Sequence, residues 1–476
     1  MQLERISKQQ LLADLPHEWP QNLFPKIRQQ VLDSRRTVVV LDDDPTGTQT
    51  VHGVPVLTEW SVEALRNEFQ RGGTAFYVLT NSRSLPANEA AALNTKIGRN
   101  LLEAGRLAKR CFVVISRSDS TLRGHFPDEV EALADGLETD FDAWLLIPFF
   151  LEGGRYTIHN IHYVADGDWL VPAAQTEFAR DPVFGYQSSD LRRWVEEKTA
   201  GRIAVDTIAS ISIEEIRHDG PGRVAEHLCN LQHGQVCVVN AASYRDLEVF
   251  SSALLAAEAQ GKRFLYRTAA SIVRVRAGIA SRNLLVSSEL DLPPEGGGLV
   301  VVGSHVPRST SQVEELSALS GLLSVELNVE ALLDEERRNP EIEHVAKAAD
   351  SGLARGQDVM IVTSRKLVVG ADANSNLSMG HRVASGLVDV VRRISVRPRY
   401  ILAKGGITSS DTATQALNVK RGQVLGQILP GVPVWRLGPE CRYPGIAYIV
   451  FPGNVGERRA LAEIVSSLRG STGNIR

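Results

Sequence analysis

Short apolar runs rich in β-branched residues recur along this chain, each followed by a stretch long enough for a helix. The alternation halts once, at Glu289–Gly298, and then begins again. Before the halt the strand-like runs are Thr37–Asp42, Ala75–Leu79, Cys111–Ser116, Trp144–Ile147, Gln235–Val239 and Lys262–Tyr266, with helices such as Ala87–Ala108 and Tyr244–Gln260 between them. Runs that are apolar throughout, rather than at every second residue, belong to strands covered on both faces, so the pattern predicts parallel sheets flanked by helices. The stretch ELDLPPEGGG at 289–298 can continue neither a helix nor a central strand. Beyond it the strand-like runs are Leu299–Gly303, Leu322–Leu327, Asp358–Thr363, Tyr400–Ala403 and Tyr448–Phe451. The fold class expected is α/β: two α/β domains with mostly parallel sheets, at 37–288 and 299–476. A helical extension over 1–36 precedes them and a linker at 289–298 joins them. A length of 476 residues agrees with more than one core.

Composition excludes several classes. A formal charge of −4 without a basic run argues against a nucleic-acid surface. No apolar run approaches about 18 residues, so no membrane span is expected. The N-terminal MQLERISKQQLLADLPHEWP has no apolar segment for export, and the four cysteines show no CxxC spacing. These point to buried structural thiols in a reducing cytoplasm. His52, His125, His159 and His162 lack ligand spacing, so no metal site is assigned.

In an open α/β sheet, ligands gather at the carboxyl ends of strands. There the chain places DDDPTGTQT after Leu41, Thr80-Asn81-Ser82-Arg83 after Leu79, SRSDSTLRGH after Ile115, and PFFLEGGR after Ile147. An Asx turn needs one aspartate, whereas Asp42-Asp43-Asp44 are adjacent carboxylates that repel one another unless cations or hydroxyl donors offset them. Such a loop suits a polyol, and one aspartate can take the proton of an acceptor hydroxyl in phosphoryl transfer. Asp43, Asp44 and Asp119 are the catalytic candidates. Ser82, Arg83, Arg123 and Arg155 are the substrate-binding ones, Arg123 because a guanidinium clamps a carboxylate in bidentate fashion. In the C-terminal half, Ser304 and Ser309, then Gly405-Gly406-Ile407-Thr408, then Gly453-Asn454 follow strands and open helices. Free N–H groups at helix starts suit phosphates, so these residues are the nucleotide-binding candidates. Neither a P-loop nor a dinucleotide fingerprint is present.

These motifs resemble the four-carbon acid sugar kinase family over about residues 37–468: DDPTG at 43–47, TNSRSLPANEA at 80–90, SDSTLRG at 118–124, PFFLEGGRYT at 148–157 and TEFARDP at 176–182. GSHVPRSTSQ at 303–312, KGGITSS at 404–410 and PGNVG at 452–456 continue the likeness. The resemblance implies an N-terminal substrate domain and a C-terminal nucleotide domain. It also implies ATP-dependent phosphorylation of the terminal hydroxyl of a four-carbon or similar acid sugar, with Mg²⁺ arriving on the nucleotide. The partners implied are the acid sugar and ATP, with a homodimer left open and neither nucleic acid nor membrane. The chain departs from the family at Thr48-Gln49-Thr50, at the extra Asp42, at Ile407 in place of a carboxylate, and at Phe451-Pro452 in place of a cation. Two other readings compete. VVVLDDDPTGT also matches a haloacid-dehalogenase-like phosphatase with Asp42 as nucleophile and Asp44 as acid/base, and the altered glycine loops fit a non-catalytic ligand-binding relative.

Overall fold

The computed structural model describes residues 4–304, 307–364, 373–453 and 455–469. The chain forms two units, Met1–Val54 with Glu59–Ser281, and Pro55–Thr58 with Arg282–Arg476.

In the first unit the strands lie in the order Ala209–Ile211, Gln235–Val239, Ala143–Ile147, Phe264–Thr268, Phe112–Arg117, Thr37–Asp42, Ala75–Leu79, and every neighbouring pair is parallel. Thr37–Asp42 is buried along its whole length, as a strand apolar on both faces must be. Its register sets Asp42 level with Leu79 on one side and Arg117 on the other, so the carboxyl ends of adjacent strands finish together. A separate four-stranded antiparallel sheet of Ile6–Ser7, Trp169–Pro172, Ile161–Asp166 and Arg155–Ile158 adjoins this end through the bridge of Thr157 to Ala241. The expected helical extension is therefore part of this unit and contributes a strand as well as helices. Ile6–Ser7 pairs in the small sheet, and Ile27 and Val31 of the helix Phe24–Ser34 are buried.

In the second unit Leu322–Leu327, Asp358–Thr363, Leu299–Val302, Ile401–Lys404 and Ala447–Phe451 run parallel, in that order. The sheet then turns antiparallel through Val432–Leu437, Arg421–Leu429 and Pro55–Leu57. Arg421–Leu429 alternates between half-buried and buried residues, the pattern of a strand with one covered face, and Gly431 at φ +80° turns the chain into its partner. The expected linker is not a spacer. Leu285 and Leu290 sit in this unit's core, and the Leu285 N–H donates to the Gln427 carbonyl at 2.7 Å. The division accordingly falls at Ser281/Arg282, ahead of the Pro-Pro and glycine run.

Among the described residues no helix is long and apolar enough to cross a membrane. Cys237 is buried, and burial pushes its thiol up to about 12. Cys111, expected to be buried, is exposed just ahead of its strand.

Candidate functional site

The carboxyl edge of the first sheet gathers Asp42, Asp43, Asp44, Arg83, Arg117, Asp119 and Arg267, together with Glu129 from the helix Asp128–Gly136. Asp42 is 1% exposed. Arg117 Nη1 holds its Oδ1 at 3.0 Å, and the α-carbon of Gly47 lies so close that a Cβ there would sit 2.1 Å from Oδ2. Burial raises its carboxyl to about 7, with Arg117 opposing and Asp43 and Asp44 adding to the rise. A carboxylate enclosed in this way is poorly placed for attack, which argues against the phosphatase reading of Asp42.

Asp43 is also buried, but Arg83 grips it through Nε at 3.1 Å and Nη2 at 2.5 Å, and the Ser118 hydroxyl donates to Oδ2. Burial acts against its charge. Arg83 outweighs that effect, aided by Arg267 and Arg117, so the carboxyl stays below its ordinary value. Asp44 differs from both. Its Oδ1 accepts from the Thr46 N–H at 2.8 Å, capping the turn Pro45–Thr48. Its Oδ2 has only a 3.6 Å ion pair with Arg83 among the described residues, and the side chain is 19% exposed. Of the three aspartates, Asp44 alone keeps an accessible oxygen.

Asp119 accepts from Arg123 Nε at 2.6 Å and from the Thr121 hydroxyl. Burial opposes its charge too, but Arg123, Arg83 and Thr121 together hold it well below the usual carboxylate range. Ser82 donates to Glu129, whose other oxygen lies 3.5 Å from Arg267. Burial first and the Asp43 charge second raise Glu129 to about 7.

Arg155 does not follow a strand of the main sheet, as the sequence suggests. It begins the strand Arg155–Ile158 of the small sheet, and this brings it beside Arg123, both guanidinium groups lying over the Phe178 ring at 5.7 and 5.2 Å. Arg123 is committed to Asp119 and, at 3.7 Å, to Asp181. Arg155 has no carboxylate in ion-pair reach among the described residues, and its Nε has no hydrogen-bond partner. Burial lowers its pKa, and the more distant charge of Asp119 does not offset that cost.

His162 underlies this corner, fully buried. Its Nε2 must donate to the Ser120 carbonyl at 2.7 Å, so Nδ1 accepts from the Thr157 hydroxyl at 3.0 Å. Burial depresses it to about 4. The folded state thus resists a proton that the unfolded chain accepts below about pH 6.5, and stability falls as pH drops from 6.5 towards 4. Between pH 7 and 4.5 this residue is expected to remove about 2 to 3 kcal/mol of unfolding free energy. His162→Gln should flatten the dependence by that amount in denaturant titrations at the two pH values.

In the second unit three loop ends meet. A Cβ on Gly303 would lie 2.4 Å from Thr408 Oγ1, one on Gly405 would lie 3.2 Å from the Ser304 Cβ, and one on Gly453 would lie 3.6 Å from Ser304 Oγ. Ser309, buried in the helix Pro307–Ser317, lies 2.9 Å from Ser304 Oγ and 3.3 Å from the Gly453 carbonyl. Gly406 and Thr408 belong to the short helix Gly406–Asp411, and Ile407 on it is 57% exposed. Asn454 lies outside the described residues. Gln312 braces the last loop, its amide reaching the carbonyls of Val455, Gly456 and Glu457. Lys404, at the end of its strand, donates to the carbonyls of Pro452 at 2.7 Å and Gly453 at 3.1 Å.

The structure therefore brings Asp43, Asp44, Ser82, Arg83 and Asp119 to one sheet edge, sets Arg123 and Arg155 side by side, and draws Ser304, Ser309, Gly405, Thr408 and Gly453 together in the other unit. Arg117, Ser118, Glu129, Arg267, Gln312 and Lys404 contact these residues or their loops and were not assigned by the motif reading. Arg267 and Lys404 carry the same signal as the assigned residues, since Lys404 ends a strand and Arg267 is the last residue but one of another.

Comparison with known proteins agrees with this division. A sugar-binding N-terminal domain model matches residues 38–276, and a nucleotide-binding C-terminal domain model matches residues 299–461. The chain is 26% identical over 427 residues to a D-erythronate kinase of Heliobacterium modesticaldum, covering 84% of this chain and 90% of that protein. It is also 26% identical over 378 residues to a 3-oxo-tetronate kinase of Burkholderia multivorans, covering 75% and 80%. Among solved structures, a Salmonella typhimurium LT2 protein shares the fold with a TM-score of 0.66 at 19% identity, over 91% of this chain and 99% of that one. The match of the sugar-binding model to half of the chain, together with the nucleotide-binding model beyond it, shows that this protein belongs to the four-carbon acid sugar kinase family.

Proposed function

We propose that this protein is an ATP-dependent kinase that phosphorylates the terminal hydroxyl of a four-carbon acid sugar. The names of its relatives, a D-erythronate kinase and a 3-oxo-tetronate kinase, support the substrate class. The observation that carries the reading is Arg155. A guanidinium drawn out of water beside an aromatic ring, with no carboxylate within ion-pair distance among the described residues, is stabilised by an incoming one. The acid group of the sugar supplies that charge.

In this reading Arg155, with Arg123 alongside, fixes the carboxylate, and the hydroxyls lie along the Ser82, Arg83 and Asp119 edge. Asp44 accepts the proton of the attacking hydroxyl through its uncommitted Oδ2. Asp43 is the positioning residue that fixes Arg83. Ser304, Ser309, Gly405, Gly406, Ile407, Thr408 and Gly453 surround the phosphates of ATP, whose Mg²⁺ comes with the nucleotide. Rate enhancement then comes from positioning and from charge neutralisation around the transferred group.

Arg155→Ala is the direct test. The KM for the acid sugar should rise about 10- to 100-fold, as expected for a lost hydrogen bond to a charged group, while phosphorylation of the matching polyol without the carboxylate should not change. Equal loss for acid and polyol would refute the carboxylate assignment. A screen of four- to six-carbon sugar acids by ADP release identifies the acceptor, and failure of every acid to release ADP would overturn the kinase reading itself.

A further inference from the structure

Lys404 is fully buried, and among the described residues no carboxylate lies within ion-pair distance of its Nζ. It ends the strand Ile401–Lys404 and stands in register with Phe451 on the neighbouring parallel strand, its ammonium 4.0 Å from the centre of that ring. An ammonium has three donors. Two are used by the carbonyls of Pro452 and Gly453, which leaves one N–H without a hydrogen-bond partner among the described residues. Burial, with the Arg308 charge adding to it, lowers the amine to about 7.

A buried cation without a counter-charge is costly, and proteins rarely keep one unless an anion arrives. The surroundings indicate where. The Gly453 carbonyl that accepts from Lys404 is also 3.3 Å from Ser309 Oγ, and Ser304 and Gly405 border the same point. We infer that Lys404 is a phosphate-binding residue, whose remaining N–H meets an oxygen of the nucleotide's polyphosphate where the Ser304, Gly405 and Gly453 loops converge. This inference rests on the nucleotide site proposed above and assigns a residue to it. Two fixed carbonyls hold the ammonium in place before the ligand comes, so little side-chain freedom is lost on binding. In its dry setting the attraction to phosphate exceeds that of an exposed lysine. The position also explains how the second unit can have Phe451 and Pro452 where its last strand gives way to the loop, because the cation stands on the adjacent strand.

The test separates charge recognition from pocket shape. Calorimetry on the full chain would compare Mg-ADP with adenosine for the wild type and Lys404→Met. The expected result is ADP affinity reduced about 10- to 100-fold and adenosine affinity unchanged. Lys404→Gln, which keeps a donor for Pro452 but no charge, should show the same split, and it serves as the comparison if the methionine variant does not fold. Unchanged ADP binding, or equal loss for ADP and adenosine, would overturn the inference. Absence of ADP binding in the wild type would instead reject the nucleotide site on which it rests.

Discussion

Asp44→Asn is expected to leave the chain folded and to lower kcat about a thousandfold, the middle of the range for loss of a general base. The two halves of that result come from different oxygens. Oδ1 caps the turn Pro45–Thr48 through the Thr46 N–H, and asparagine caps nearly as well as aspartate, so thermal unfolding should match that of the parent chain. Oδ2 is the proposed proton acceptor, and the amide that replaces it cannot accept a proton. The KM for the acid sugar should change little, because Arg155 and Arg123 remain. Asp43→Asn provides the contrast. Asp43 anchors Arg83 and the Ser118 hydroxyl, so its loss should raise KM and lower stability together. A kcat within tenfold of wild type for Asp44→Asn would move the base elsewhere, with Glu129 next in line.

Gly47→Ala should be the most damaging single methyl group in the first unit. The new Cβ would lie 2.1 Å from one Asp42 oxygen and 2.2 Å from the other, far inside contact distance. Asp42 cannot yield without leaving Arg117, which is 5% exposed in its side chain and would then lose its 3.0 Å partner. Overpacking and a broken buried ion pair together predict about 3 kcal/mol or more of destabilisation, with activity lost as the aspartate loop shifts. A double-mutant cycle with Asp42→Ala checks the cause. Since the obstruction is a side chain rather than backbone, the pair should cost less than the sum of the two single changes. Strict additivity would place the strain elsewhere.

Much of this was legible because the candidate site collects at strand ends, and strand ends can be read from apolar runs. Thr37–Asp42 and Ala75–Leu79 fall where the residues place them, and the loops that follow hold Asp43, Asp44, Ser82 and Arg83. Arg267 shows how small an error hides a participant. The run at Lys262–Tyr266 forms a strand two residues later, Phe264–Thr268, and that shift turns Arg267 from a flanking residue into part of the edge. Glu129 had no such signal, because it reaches the site from a helix whose acidic first turn reads as ordinary helix-start chemistry. The small sheet around Arg155 was hidden for another reason. Its strands are short and carry polar residues, and its partner Ile6–Ser7 lies far away in sequence. The hairpin Arg421–Leu437, which makes the second sheet mixed, carried a legible sign only in its turn residues, Pro430-Gly431.

The strand Pro55–Leu57 bears on how such a protein can change over time. It belongs to the second unit by pairing with Arg421–Leu429, yet it is encoded within the first third of the chain, inside the segment that otherwise builds the first unit. A recombination joint near Ser281 would therefore transplant a nucleotide unit stripped of an edge strand, exposing the unpaired backbone of Arg421–Leu429. Swapping modules between relatives would require two joints, one on either side of residues 55–58, or a recipient that already carries a matching strand. The interleaved chain thus ties the inheritance of the two halves together, whatever sugar acid each lineage comes to use.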